Sequence, residues 1–574
     1  MNGLDYWAKS LLAAGLAVLL GGAAGPAQAG GMAPDLQRKI NGAPTSTTLV
    51  PVVVQYALKG VDGVTLARTY KGTKVKDNPL VTGATFNIPL NAVAAMSKDS
   101  KVKWISPDRK IAGQRDADSQ TMALDQVWAS YPYRGGGVRV AVLDTGVIGG
   151  FADWAVYGGA TNRIVAFKDF VGGKTAAYDD NGHGTHVAGI VMGSGNKSAG
   201  TITGSAPGAD LVAVKVLAAD GSGLISNVIN GIDWCVANKT ALNIRVINMS
   251  LGVRPGESYT TDPLCAAVRN AVKAGIVVVC SAGNQGKDAN GVLKYGGISC
   301  PGNEPSALTV GALNTMQTPD RRDDVVTTYS SRGPTAYDHL AKPDVVAPGN
   351  KIVSVRSTSS TLDVNYPANR VAYDPTKTAV DYFQLSGTSM AAPQVAGVVA
   401  VMLNANPTLA PNTVKGILQF TALRLNLKDS LGRALPNGLS NLTQGAGSVN
   451  ALGAVEAALK INTSAAVGSY WLKAPLSGQT VVGGLGYYWH GGVLQGSSVL
   501  SGDSVLSVRQ VLWSDQCVWS DQVLWSDQCV WSDNGVTADQ VIWSDQCVWS
   551  DQVLWSDQVL WSDLTSMTAI YGDR

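Results

Sequence analysis

Two of the four histidines in this chain, His183 and His186, stand three residues apart in the stretch NGHGTHVAGI. Two imidazoles so close raise two chemistries: a metal clamp, or a working base beside a structural neighbour. A zinc-protease helix carries His-Glu-x-x-His, with its histidines four apart and the glutamate as base. Here Gly184 and Thr185 intervene, and neither His339, His490, a cysteine nor a carboxylate stands at a recognisable spacing to complete a metal site. The metal reading fails on both counts.

A nucleophile reading fits better. In QLSGTSMAAPQVAGVVAVML, Ser389 opens a long apolar helical stretch. Its hydroxyl and its own N–H there face the positive end of the helix dipole, where a developing oxyanion is stabilised. Pro393 has no N–H, so the helical bond to the carbonyl of residue 389 cannot form and the first turn is loosened. Serine is a weak nucleophile that needs a base held in one tautomer by a carboxylate. His183, in a glycine-flanked turn that enters a helix, is assigned as that base. Asp144 ends the apolar run VAVLD, where a buried charge is costly unless an imidazolium pairs with it.

The elements that must position these residues are legible in the hydrophobic pattern. GVRVAVLDTG, ADLVAVKVL, IRVINMSLG and GIVVVCSAGN are continuous β-branched runs, separated by helical stretches such as GLISNVINGIDWCVA and DPLCAAVRNAVKA. Continuous rather than alternating hydrophobicity predicts strands covered on both faces. The expected fold class is therefore α/β, a parallel sheet sandwiched by helices. Ligands bind such sheets at the carboxyl ends of strands, and Asp144, Ser250 and Asn284 each close or follow one of these runs.

The chain has 574 residues, 45% hydrophobic and 15% charged, so several structural units with sizeable cores are expected. Lys and Arg total 44 against 42 for Asp and Glu, which leaves no electrostatic footprint for nucleic acid. Residues 1–29 read as a secretory signal: Lys9, the apolar run SLLAAGLAVLL, and Ala27-Gln28-Ala29 as a cleavage site. No later stretch reads as a transmembrane segment, so an exported mature protein is expected. Export permits disulfides. The seven cysteines leave open a pair between Cys280 and Cys300 or buried free thiols.

Residues 30–116 read as one leading unit, in which 47–111 begin with the strand-like TTLVPVVVQYALKG and end in strand, helix and strand, a small α+β unit. After them, AGQRDADSQTMALD reads as a structureless linker. The main domain spans 117–460, and a Gly- and Ser-rich linker occupies 461–500. In 501–574 a hexad, QVLWSD and its variants, places Trp at 513, 519, 525, 531, 543, 549, 555 and 561. Residues six apart share a face in a strand but not in a helix, so a β-rich repetitive tail is expected. Its rows of Trp suit self-association or surface attachment.

VAVLDTGV, HGTHVAGI and GTSMAAPQVAG, in that order, resemble the three signature blocks of the subtilisin-like serine proteases, the subtilases. The resemblance extends over about 125 to 460 and includes INMSLG, SAGNQG, YSSRGP and KPDVVAPG. It implies Asp144 as orienting carboxylate, His183 as general base and acid, Ser389 as nucleophile and Asn284 as oxyanion donor. His186 is then structural. A protein or peptide substrate would lie extended against Gly221, Ser222 and Gly223 on one side and Ser250, Leu251 and Gly252 on the other. The leading unit resembles the inhibitory, ferredoxin-like propeptides of these enzymes, to be cut between about 112 and 124.

Two departures from the family pattern stand out. Where the family's calcium loop usually supplies an asparagine, SGNKSAGTITG offers Lys197, although Asp153 still occupies the position of another ligand. A cation there repels calcium, so a structural calcium is in doubt; the serine chemistry itself is expected to require no cofactor. At the base of the specificity pocket Ser299 replaces the common glycine. The resulting expectation is a secreted serine endopeptidase made as a zymogen; the alternative is a non-catalytic binding protein whose tail mediates attachment.

Overall fold

The computed structural model describes residues 31–78, 82–107, 114–373, 379–429, 432–464, 472–495, 498–501 and 559–562. The signal-like residues 1–29 and most of the repeat lie outside them. The chain divides into two compact units, 1–111 and 112–574.

The leading unit is α+β. Its strands are β1 (Gly31–Met32), β2 (Leu49–Tyr56), β3 (Thr73–Asn78), β4 (Gly83–Pro89) and β5 (Val102–Pro107), in the order β1-β5-β2-β4-β3. Helices α1 (Pro34–Gly42), α2 (Gly63–Thr69) and α3 (Leu90–Met96) join them. From β2 to β5 this is the split β-α-β-β-α-β arrangement. Val52, Val54, Phe86, Ile88, Val93 and Ile105 fill its core.

In the second unit the continuous apolar runs become the strands of one sheet. They are β6 (Arg139–Asp144), β7 (Ile164–Asp169), β8 (Asp210–Lys215), β10 (Ile244–Met249), β12 (Val277–Ser281), β13 (Leu308–Asn314), β14 (Val325–Val326) and β15 (Val345–Pro348). Two short strands, β9 (Ser222–Leu224) and β11 (Leu251–Gly252), lie outside this sheet. The order is β14-β13-β12-β10-β6-β8-β7, with β15 also on β13; every pair is parallel except β13 with β14.

Successive residues of one strand feed two cores. Val140, Val142, Leu211, Ala213, Val277 and Val279 enter the larger, whereas Ala141, Leu143, Val212, Val214, Val278 and Cys280 enter the other. This two-sided burial is why the runs are unbroken rather than alternating. Helices α4 (Gln114–Thr121) and α5 (Leu124–Ser130) precede the sheet. They are followed by α6 (His183–Met192), α7 (Ile225–Ala237), α8 (Pro263–Lys273), α9 (Thr361–Asn365) and α10 (Thr388–Ala405). Among the described residues, α10 alone is long and apolar enough to cross a membrane by length and composition. It is 89% buried inside the domain, as a core helix is.

Two segments depart from expectation. The polar stretch expected to be structureless is helical from Gln114 onward. Asp118 is buried and accepts from Thr315 Oγ1 at 3.1 Å, and Arg321 donates to the Thr121 carbonyl at 2.6 Å. Buried tertiary partners outweigh the low helix preference of its aspartates and serine.

The second is 461–500, expected to be a linker. It contains a hairpin of β19 (Gln479–Val482) and β20 (Leu485–Tyr488) and another of β21 (Gly492–Gln495) and β22 (Ser498–Ser501). Between these chain positions and β15 lie the short antiparallel strands β16 (Ile352–Val355), β17 (Arg370–Val371) and β18 (Tyr382–Leu385). Gly483 and Gly484 both have positive φ, 58° and 81°, the two-residue turn that a tight hairpin requires. Val482 and Trp489 are buried in the main core, and Asn450 Nδ2 reaches Thr480 Oγ1 at 2.9 Å. The glycine pair was the available signal.

Candidate active site

β6 ends in Asp144 and α6 begins at His183, both without solvent exposure. Asp144 Oδ1 lies 2.7 Å from His183 Nδ1 and also accepts from the Thr145 amide at 2.8 Å. An ionised carboxylate fixes the proton on Nδ1 and leaves Nε2 as the basic nitrogen. The close approach requires glycine at 184. A Cβ there would stand 2.2 Å from the Gly146 carbonyl oxygen.

The loop before His183 is held by a carboxylate that the sequence reading missed. Asp179 Oδ1 accepts from Thr145 Oγ1 and the Gly182 amide, both at 2.8 Å, and its Oδ2 accepts from the Thr185 amide at 2.8 Å. Burial pushes its carboxyl above the usual range, while these donors favour the charged form. Lys215, at the end of β8, was also missed. Its fully buried ammonium donates to Thr145 O at 2.6 Å, Asp180 Oδ1 at 2.7 Å and Leu217 O at 2.9 Å. A lysine inside the apolar run LVAVKVL was the available signal, because such a cation needs oxygens around it. His186 joins α6 to β18: its Nε2 lies 2.9 Å from the Phe383 carbonyl and 3.2 Å from that of Ile352.

β18 leads through Ser386 and Gly387 into α10, whose second residue is Ser389. Ser389 Oγ donates to the Ser250 carbonyl at 3.2 Å, and Ser250 Oγ donates to the Ser389 carbonyl at 2.8 Å. The carbonyl that Pro393 cannot serve thus receives a hydroxyl from the strand end. Asn284, just after β12, is braced through its oxygen, which accepts from the Thr388 amide at 3.0 Å and Thr388 Oγ1 at 3.1 Å. Its Nδ2 stands 3.3 Å from where a Cβ on Gly387 would be. The amide nitrogen therefore faces the start of α10. A donor pair at this point, Nδ2 and the Ser389 N–H, can receive an oxyanion.

The residues expected to receive substrate fall on two short strands and the turns that lead into them. Gly221 turns with φ +84°, and Gly223 packs against β8's continuation so closely that a Cβ would meet Val216 O and Leu217 Cδ2 at 2.7 Å. Ser222–Leu224 form β9, whereas Ser250 precedes Leu251–Gly252 of β11. The Ser299 side chain fills the space between two glycines, 2.9 Å from an added Cβ on Gly252 and 2.2 Å from one on Gly283. Ser299 is buried and its amide donates to Ala282 O at 3.0 Å.

Cys300 follows Ser299, and the thiol within sulfur contact of it is that of Cys265. Cys265 Sγ lies 3.7 Å from Cys300 Sγ, and Cys235, Cys265, Cys280 and Cys300 are all free, buried thiols. Of the alternatives left open by the sequence, the structure has the free thiols.

The Asp153 position does not suit a divalent ion. Its Oδ1 accepts from the Lys197 amide and its Oδ2 from the Tyr382 hydroxyl, both at 2.7 Å. The Lys197 ammonium lies 3.9 Å from Asp381 Oδ1 nearby. Burial raises the Asp153 carboxyl above its ordinary range. With both oxygens taken by protein donors and a cation adjacent, this set does not fit calcium.

The subtilase family model matches residues 135–453, the span that carries all of these side chains. The serine protease AprX of Bacillus subtilis (strain 168) is 39% identical over 330 residues, 56% of this chain and 70% of that protein. Subtilisin E of the same organism is 35% identical over 373 residues, 64% of this chain and 82% of that protein. A crystal structure of a cold adapted subtilisin-like serine proteinase aligns at a TM-score of 0.38 and 32% identity. That alignment covers 53% of this chain and 88% of the other. Since the family match spans more than half of the sequence, this chain belongs to the subtilase family and is a subtilisin-like serine protease.

Proposed function

We propose that the protein is a secreted serine endopeptidase, made as a zymogen, that works through an acyl-enzyme with Ser389 as nucleophile, His183 as base and Asp144 as orienting carboxylate. The observation that carries the reading is the buried 2.7 Å pair of Asp144 and His183. A buried carboxylate held against Nδ1 orients the imidazole and stabilises the imidazolium that forms during a reaction. Ser389 Oγ adds to the substrate carbonyl carbon and passes its proton to His183 Nε2. Asn284 Nδ2 and the Ser389 N–H receive the oxyanion. His183 then protonates the leaving amine, and water, deprotonated by the same nitrogen, hydrolyses the ester. No metal takes part in these steps.

The substrate is read as an extended peptide entering between β9 and β11 as an added strand. The leading unit, 30–116, is read as the inhibitory propeptide, and its split β-α-β-β-α-β topology supports that reading. The test is hydrolysis of a generic protein such as casein. Activity abolished by a serine-directed organophosphate and by Ser389→Ala, and indifferent to zinc chelation, is expected. Activity that survives Ser389→Ala overturns the reading.

A further inference from the structure

The two edges expected to receive substrate already carry a strand of this chain. β23 (Val559–Ser562), from the last Trp hexad, lies between β11 and β9 and is antiparallel to both. Val559 faces Leu224, Leu560 faces Gly223 and Trp561 faces both Ser222 and Gly252, while Ser562 faces Leu251. The backbone thus runs from the outer end of β9 toward Ser250, whose carbonyl receives the Ser389 hydroxyl. This is the place and manner of binding read above for a substrate peptide, taken by the protein's own C-terminal segment.

We propose that the C-terminal repeat is an internal ligand of the substrate cleft: a VLWS hexad is seated as a substrate-like strand and competes with peptide substrate for the β9 and β11 edges. The proposal rests on reading those edges as the substrate cleft. Two observations support the tail as the occupant rather than a chance neighbour. The strand satisfies two otherwise open edges at once, which exposed strands do not leave bare without cost. The hexad recurs with Trp at intervals of six or twelve, and a strand shifted by six residues presents the same face. Any hexad can therefore replace another in the same register. A tethered array of this kind holds its ligand at an effective concentration on the order of millimolar, so an external peptide must outcompete it.

A cysteine pair at facing positions tests this in the full chain. Leu224→Cys with Val559→Cys places two thiols at directly opposed strand residues, within about 5 Å between Cβ atoms. Under mild oxidation a 224–559 disulfide is expected by peptide mapping. Turnover of a small peptide substrate should fall at least tenfold and recover on reduction. An active, organophosphate-sensitive enzyme that forms no such cross-link overturns the proposal, as does a cross-linked enzyme with unchanged turnover. A cross-link in a protein without any serine-dependent activity supports the seat of the strand and overturns the peptidase reading instead. Should the double variant not fold, amide exchange on the unsubstituted chain decides. Residues 559–562 are expected to be protected, and a peptide boronic acid should release them. Rapid exchange there without the boronic acid, or protection unaltered by it, overturns the proposal.

Discussion

The Ser250 hydroxyl donates to the Ser389 carbonyl at 2.8 Å, and the Ser389 hydroxyl donates back to the Ser250 carbonyl at 3.2 Å. This exchange ties the end of β10 to the first turn of α10. It fills the position that Pro393 leaves without a helical donor. Ser250→Ala removes one half and strands a buried carbonyl, so stability should fall by about 1–3 kcal/mol. Turnover should drop roughly tenfold with KM little changed, because the turn that carries Ser389, the proposed nucleophile, is loosened. Thermal melting and steady-state kinetics on one preparation check both.

Asn284 has its oxygen committed to Thr388, so its nitrogen is the side-chain atom that can donate to a reacting group. Asn284→Asp keeps the acceptor and replaces the donor with an oxygen. The expected result is a kcat lower by about 10²–10³ with a similar KM. A KM effect alone, with kcat retained, would remove Asn284 from the oxyanion site.

Gly223→Ala tests the cleft wall. The added methyl would meet Val216 O and Leu217 Cδ2 at 2.7 Å, one of them rigid backbone. β9 must move outward, so the substrate edge is misplaced. KM for a peptide of four or more residues should rise about tenfold. A single-residue ester that does not reach β9 should be hydrolysed at nearly the original rate.

Acid sensitivity should trace in part to Asp363. Burial alone would raise its carboxyl, but Arg356, Arg370 and the Ser359 amide outweigh it and hold it at about 2, against an ordinary 3.8. Arg356 binds it in two-point fashion at 2.6 and 2.9 Å, and Arg370 Nε adds a third contact at 2.7 Å. The folded value lies below the unfolded one. The stabilisation is therefore complete above about pH 4 and lost as the pH falls from about 4 to about 2. The neighbouring Thr361 and Leu362 amides donate to the Asp180 and Asn181 carbonyls at 2.9 Å, beside the His183 loop. Asp363→Asn should lower the melting temperature at pH 7 by about 2 °C or more. It should also flatten the melting temperature's dependence on pH between 4 and 2, and a series of melts across that range checks this.

Much of the architecture was written in local patterns. Runs such as VAVLD and GIVVVC are apolar at every position because successive residues enter different cores, and that alone indicates a parallel sheet under helices. Asp144, His183, Asn284 and Ser389 were marked by their places at element ends, where such sheets expose chemistry. The glycines at 184 and 223 were visible as letters, but the backbone oxygens that forbid a side chain there were not. Asp179 and Lys215 carried weak signals, an acid before a helix and a lysine in an apolar strand. Their partners are many residues away, so no local window could assign their roles.

What the sequence determined by itself, then, was which side chains are candidates for the chemistry and the kind of sheet that holds them, because hydrophobic period and residue type are local properties. What only the tertiary structure decided was partnership. It set the Cys300 thiol in contact with that of Cys265, Ser250 on the carbonyl freed by Pro393, and Val559–Ser562 between β9 and β11. Each of these joins segments remote in the chain, and which remote groups meet is fixed by how the whole chain packs, not by the residues on either side of them.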